Sequence, residues 1–253
     1  MKLKNKKIIS ISLLVLVFPS FFAFYYLQKE YKKPFFNDSQ NKIWAHRGLS
    51  VNFPENSLES INAAFKSGFP GVEIDIWFDS ELNRFIVSHD DPDIMKTPAA
   101  LNLQTVLDSV NTKDYLLWLD LKNVNASNVD SVLSRLTSIN NKYKIKDKVF
   151  IESHKAKELH KIGKSGFFTA FFLKPVNVTR TYQTIYNNLI NLFYLCIYDY
   201  NAVTMPSKNY HGIILSLYQN QNVYLWSDNL EKHRLIQYTA LPEVKIILFN
   251  GNL

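Results

Sequence analysis

From residue 42 onward, short apolar extended stretches alternate with helical patterns, and this alternation constrains the fold more than any other feature of the chain. It is the signature of repeated βα units built around a parallel sheet. Nine stretches read as strands: IWAH (43–46), GVEIDIW (71–77), RFIVSH (84–89), YLLWLDLK (115–122), KVFIES (148–153), FTAFFL (168–173), NAVTM (201–205), NVYLWS (222–227) and VKIILF (244–249). That is one more than an eight-stranded barrel needs. The link between GVEIDIW and RFIVSH is too short for a parallel crossover, which takes about a dozen residues or more, so one of that pair is expected to be a hairpin excursion. Between the strands, ENSLESINAAFKSG reads as a helix with Asn56 as N-cap, Glu59 as its capping partner and Gly68 as the stop. Further helices are expected near NLQTVLDSV and over 127–140. With 253 residues, 47% of them hydrophobic, the chain can bury one large core without dividing into two domains.

Within GVEIDIW, Glu73 and Asp75 share the face opposite Val72, Ile74 and Ile76. In a closed barrel that face points inward. An isolated ionised carboxylate in a low-dielectric interior is costly enough that it neutralises or finds a partner, and two side by side also repel. Solvent exposure, or bridging by Arg and Lys, is the alternative reading of this strand alone. The strand WLDLKN repeats the pattern, because Asp120 interrupts an apolar run and Lys122 lies on the same face. Glu73, Asp75 and Asp120, at strand ends converging on one barrel mouth, form an oxygen-rich set suited to one hard divalent cation, Mg²⁺ or Ca²⁺. Lys122 is then left to meet an anionic ligand.

The histidines fit the same mouth. His46 and Arg47 end the first strand and His89 ends the third. One imidazole can take a proton from a nucleophile while the other gives one to a leaving group; a cation flanked by Arg47 and Lys122 can stabilise charge on a phosphoryl oxygen. His154, His160, His211 and His233 read as structural hydrogen-bonders. The single cysteine, Cys196 in NLFYLCIYDY, reads as packing, which excludes a disulfide framework within the chain, and no Cys/His cluster has zinc-ligand spacing.

The formal net charge of +7 is concentrated at one end. Residues 1–33 carry seven lysines against Glu30, a net of +6, so the other 220 residues net only +1. No basic patch remains for a nucleic-acid partner. Between the lysines, IISISLLVLVFPSFFAFYYL (8–27) has twenty residues and no charge, about the length of helix that crosses a bilayer core of roughly 30 Å. The organisation expected is a basic cytoplasmic tail (1–7), a single-pass transmembrane anchor (8–27), a polar tether (28–41) and a barrel domain (42–253) outside the cytoplasm, as the positive-inside rule orients it. Secretion after signal-peptide cleavage is the alternative.

Residues 45–91, AHRGLSVNFPENSLESINAAFKSGFPGVEIDIWFDSELNRFIVSHDD, resemble the N-terminal signature of the glycerophosphodiester phosphodiesterases. The shared elements are a His-Arg-Gly, a Pro-Glu-Asn, an Ala-Phe helix, a Glu-x-Asp strand and a closing His-Asp. The resemblance implies a (β/α)₈ TIM barrel with its chemistry at the C-terminal strand ends, His46 and His89 as the general acid/base pair, Arg47 as a phosphate ligand, and Glu73 and Asp75 as metal ligands. Glu55 of the Pro-Glu-Asn either acts directly or organises its loop. WSDN (226–229) resembles a Trp-Thr-x-Asn segment that would set Trp226 against the substrate, bulk packing being the alternative. Departures are present too. The family's third metal ligand is usually Glu in a Glu-x-Lys strand, where this chain has Asp120 and Lys122. That Asp-x-Lys is similar to the sphingomyelinase D relatives. Only 31 positions separate His89 from Asp120, too few for the large inserted subdomain of many members, so a more open mouth is expected. VKIILFNGNL lacks a Thr-Asp ending, so the last strand is expected to be irregular. The implied function is metal-dependent hydrolysis of phospholipid-derived glycerophosphodiesters to glycerol 3-phosphate and an alcohol. The alternatives are a phospholipid lyase releasing a cyclic phosphate and a barrel that only binds phospholipid head groups.

Overall fold

In the computed structural model the chain is described over residues 34–35, 41–92, 101–111, 114–174, 181–210, 218, 220–227 and 230–251. The expected basic tail and membrane anchor, most of the tether, and His211 lie outside the described residues. Among the described residues no helix is long and apolar enough to cross a membrane.

The nine expected strands are all present: β1 (Ile43–Ala45), β2 (Gly71–Asp79), β3 (Arg84–Val87), β4 (Leu116–Leu121), β5 (Val149–Ser153), β6 (Phe168–Phe172), β7 (Ala202–Pro206), β8 (Asn222–Trp226) and β9 (Val244–Phe249). Eight of them form a parallel ring in the order β1-β2-β4-β5-β6-β7-β8-β9, which closes where β9 returns to β1. β3 lies outside the ring, paired antiparallel to the far half of β2 through Ile76↔Val87 to Asp79↔Arg84. It is the hairpin excursion that the short link requires.

The last strand is irregular as expected, but its closure onto β1 is regular. Ile43, Trp44 and Ala45 pair in step with Ile247, Leu248 and Phe249. The irregularity lies on the other edge of β9, where Val223 pairs with Val244 but Tyr224 with Ile246, leaving Lys245 as the extra residue. Backbone pairing closes the ring, so a Thr-Asp ending is not needed for it.

Helices connect the strands on the outside: α1 (Leu58–Lys66), α2 (Leu103–Val110), α3 (Val129–Tyr143), α4 (Ala156–Lys164), α5 (Thr181–Ile197) and α6 (Lys232–Thr239). The period-two geometry of each strand divides its side chains between two cores. Val72, Ile74, Leu117, Leu119, Val149 and Ile151 meet the helices. Trp44, Trp118, Phe150, Ala170, Ala202, Tyr224 and Ile246 fill the interior of the ring. Trp44, Trp118, Phe150 and Tyr224 are fully buried there, each contributing about 1.5–3 kcal/mol or more by removal from water. Phe35, within the stretch expected to be a polar tether, seats its ring against Phe150 and Phe168 at centroid distances of 5.4 and 4.9 Å, closing the lower end of this interior.

The start of α1 corrects the expected cap. Ser57 is the N-cap, accepting a hydrogen bond from the Ser60 backbone, and the Ser60 hydroxyl completes a capping box in place of Glu59. Asn56 instead takes a left-handed conformation, φ +56°, a region Asn tolerates better than most residues. Its side chain is thereby released for the site described below. Gly68, at φ +87°, ends the helix as expected.

Candidate active site

On β1, β4 and β5 the interior-facing row that begins in the aromatic core ends in titratable side chains. Two residues beyond Trp44 comes His46, two beyond Trp118 comes Asp120 and then Lys122, and two beyond Phe150 comes Glu152 and then His154. Glu73 and Asp75 complete the layer from β2. These residues, with Arg47, His89, Trp118, Phe172, Trp226 and Leu248, line one cavity of about 250 Å³ at the C-terminal ends of the strands. A second cavity, about 500 Å³, lies at the opposite end of the ring around Pro34, Phe35, Lys146, His160, Lys164 and Asp199. It is the larger, but the acidic cluster lines the first.

Glu73, Asp75 and Asp120 each offer a carboxylate oxygen within 4.8 Å of the others. The β2–β4 register produces this proximity directly, since Asp75 pairs with Asp120 and Glu73 with Trp118. Burial, then Asp75 and Asp120, push the Glu73 carboxyl well above the usual carboxylate range. Burial likewise raises Asp120, with Asp75 adding and Lys122 opposing. Three hard oxygen donors within 4.8 Å of one another fit a divalent cation such as Mg²⁺ or Ca²⁺.

Lys122 does not stand free as expected. Its ammonium lies 2.6 Å from Asp75 and forms a short ion pair with Asp120. Burial acts to lower this lysine, but Asp120 and Asp75 outweigh it and hold its pKa above the ordinary lysine value. The reason is register: Lys122 continues the interior row of Asp120, so the acidic layer is its nearest neighbour.

The His-Arg-Gly turn is built to hold Arg47 over the same carboxylates. Arg47 has φ +54° and Gly48 φ +79°. A Cβ on Gly48 would come within 2.4 Å of the Ser60 hydroxyl, so the turn requires glycine both for its backbone conformation and for its close approach to α1. The Arg47 backbone N–H donates to Glu73 at 3.0 Å, its Nε lies 3.1 Å from Asp75, and its terminal nitrogen donates to Glu55 at 2.9 Å. Glu55 is half-exposed and is joined to the site by this contact with Arg47. Asn56 donates to Asp75 at 2.8 Å and receives the Asp75 backbone N–H at 3.0 Å.

His46 is buried, with Nε2 3.9 Å from Glu73. His89 is more exposed and its Nδ1 lies 2.9 Å from Asp90. The two imidazoles thus enter the cavity from different strands. Trp226 packs against Phe172 in a stacked arrangement, centroids 6.0 Å apart, on the wall of the cavity. Trp226 thus both packs and lines the cavity.

Two residues escaped the sequence reading. Glu152 is buried at the cavity floor, accepting from the Trp118 indole N–H and the Thr204 hydroxyl; burial, then Asp120, raise its carboxyl well above the usual range. His154, read as merely structural, lines the cavity, and burial with Lys155 and Lys122 lowers its pKa. The signal for both was present, since each continues the inward row of Phe150 by steps of two. His160 is structural as expected, its Nδ1 accepting the Asp199 backbone N–H, and His233 sits at the surface beside Glu231. Cys196 is buried.

Residues 46–99 match the Glycerophosphoryl diester phosphodiesterase family. Among curated relatives, the chain is 40% identical over 50 residues to a glycerophosphodiester phosphodiesterase of Bacillus altitudinis and 38% identical over 50 residues to the uncharacterized protein YqiK of Bacillus subtilis strain 168. Each match covers 20% of this chain and 20% of the relative's length. The fold is similar over a much longer span. A phosphodiesterase of Oleispira antarctica, solved with the product sn-glycerol-3-phosphate, has TM-score 0.61 at 16% identity, covering 83% of this chain and 92% of that one. Glycerophosphodiester phosphodiesterases of Parabacteroides distasonis (TM-score 0.61, 15% identity, 83% and 93% covered) and Thermotoga maritima (TM-score 0.57, 16% identity, 83% and 94% covered) share the barrel.

Proposed function

We propose that this chain, a member of the glycerophosphodiester phosphodiesterase family by its residues 46–99, hydrolyses glycerophosphodiesters to glycerol 3-phosphate and an alcohol. The observation that carries this reading is the meeting of His46, His89, Arg47, Lys122 and the three carboxylates in one cavity. The sn-glycerol-3-phosphate held by the Oleispira protein favours a substrate with the same phosphorylated glycerol.

Glu73, Asp75 and Asp120 would hold a divalent cation, which supplies Lewis-acid neutralisation of the phosphodiester charge when bound. Arg47 and Lys122 place two more positive charges beside that position. Asn56 and Glu55 fix the Asp75 carboxylate and the Arg47 guanidinium, so the charges are arranged before substrate arrives. One histidine takes the proton of the attacking hydroxyl, and the other delivers a proton to the oxygen of the departing alcohol. Buried His46 is held beside Glu73; half-exposed His89 sits where the alcohol leaves toward solvent. Phe172 and Trp226 offer an apolar wall to the rest of the substrate.

We further propose that residues 8–27 anchor the chain in a membrane with the barrel outside the cytoplasm, on the strength of their length, lack of charge and preceding lysines. The test of the activity is a panel of glycerophosphodiesters, glycerophosphocholine among them, incubated with the full chain in Mg²⁺, Ca²⁺ and EDTA, with products read by phosphorus NMR. Glycerol 3-phosphate appearing with a cation and vanishing with chelator is the expected result. A cyclic phosphate from a lipid substrate would instead establish the lyase suggested by Asp120-x-Lys122. Binding without turnover in any cation would leave only a head-group receptor.

A further inference from the structure

Helix α5 carries no charged residue along its seventeen positions. One side faces the barrel: Leu195 and Asn191 are buried, Asn191 brackets the Lys174 backbone through 2.9 and 3.3 Å hydrogen bonds, and the Tyr194 ring meets Phe171. The other side is apolar and faces outward. Tyr182, Ile185, Tyr186, Leu189, Phe193 and Ile197 are between 44% and 92% exposed, and at 100° per residue they share an arc of about 120°. Soluble surfaces scatter such residues singly; a contiguous row marks a contact.

Three observations identify the partner. The row is aromatic and uncharged, which suits an interfacial zone where Tyr and Phe rings sit at head-group level. Six side chains on one helix fall far short of the roughly 20–30 residues per side buried by a stable protein pair, which argues against a second copy. The third observation is where the undescribed N-terminal stretch joins the barrel. Pro34 lines the lower cavity together with Asp199, two residues past the end of the row. Residues 28–33 reach at most about 20 Å when extended, so the uncharged stretch 8–27 is delivered close to the foot of a row itself about 22 Å long.

We propose that the outward face of α5 rests on the lipid bilayer, so that the barrel lies on its side against the membrane with its mouth beside the surface. This extends the anchor reading above and rests on it. α5 follows β6, whose last residue, Phe172, lines the active cavity beside Trp226. Asn191 holds the Lys174 backbone two residues past Phe172, so the middle of the row stands level with the apolar wall of the site, and side-on docking brings membrane, anchor and cavity to one level.

Nitroxide labels on full-length chain in phosphatidylcholine–phosphatidylglycerol vesicles test this. One label goes at Tyr186→Cys in the row and one at Lys66→Cys on α1, four strands away around the ring; native Cys196 is buried. The expected result is that oxygen relaxes the label at 186 more than a water-soluble nickel chelate does, with the reverse at 66. Should Tyr186→Cys fail to fold, Gln183→Cys, at an exposed polar position on the edge of the row, is read against the same control. A row label as open to nickel as the one at 66, or shielded from both reagents by a second copy or by residues 8–27, overturns the proposal. Carbonate extraction of the same vesicles reports on the anchor separately, and neither readout depends on hydrolysis.

Discussion

Asn56 and Asp75 are joined by two reciprocal hydrogen bonds, amide to carboxylate at 2.8 Å and backbone N–H to amide oxygen at 3.0 Å. The pair ties the end of the His-Arg-Gly loop to the strand that carries two of the three clustered carboxylates. Asn56→Asp keeps the size and much of the left-handed tolerance of the position but turns the donor into a second acceptor. Urea denaturation of the metal-free variant should show a loss of about 1–3 kcal/mol, the cost of leaving a buried polar group unsatisfied. A change under about 0.5 kcal/mol, the range of ordinary surface substitutions, would show that the pair matters little.

The two imidazoles assigned to proton transfer should each be costly to remove. His46→Ala and His89→Ala should lower kcat by about 10² to 10⁴. His154→Ala, which touches the cavity without an assigned proton, should cost less than about tenfold. Steady-state hydrolysis at saturating substrate and cation separates them; losses under tenfold in both His46→Ala and His89→Ala would end their assignment.

Cation binding should be visible without turnover. A ligand that binds only the native state stabilises by about 2.7 kcal/mol at one hundred times its Kd, so Mg²⁺ or Ca²⁺ should raise the melting temperature of the chain. Asp75→Asn should abolish that rise. Asp120→Glu, which restores the longer side chain found at the usual Glu-x-Lys position, should keep it. A melting temperature indifferent to both cations in the unaltered chain would remove the metal from the mechanism.

Glu152 gives a pH test with a definite sign. Burial, then Asp120, hold its folded-state pKa well above the ordinary glutamate value of 4.5, so the native protein grips this proton more tightly than the unfolded chain. The resulting stability is complete below the ordinary value and is lost as pH rises through the raised one. In chelator, the melting temperature should therefore fall as pH rises above the ordinary glutamate value. Glu152→Gln should flatten that fall, because its amide can still serve both neighbours, accepting from Trp118 and donating to the Thr204 oxygen. Parallel slopes for the two proteins would contradict the buried-proton account.

Much of this was legible in the residues alone. The eight ring strands stand out because strands of a barrel are apolar on both faces, and Glu73, Asp75 and Asp120 stand out as interruptions of those runs. What escaped notice depended on register and long-range partners. Glu152 is a single carboxylate whose companions, Trp118 and Thr204, lie 34 and 52 positions away. Lys122 reads as available until the β2–β4 pairing sets it beside Asp75. The helix cap moved from Asn56 to Ser57 because either residue can cap, and only Asn56 could also take the left-handed turn and reach Asp75.

β3 stands apart from the eight-stranded ring, and His89 lies just past its end. The two proposed proton carriers therefore sit on different parts of the scaffold, His46 on a stave of the closed vessel and His89 on an outrigger held by β2, by the Leu101 carbonyl and by a bridge to Asn102. The spacing between acid and base is therefore set by how the outrigger seats against the vessel, and not by the staves alone.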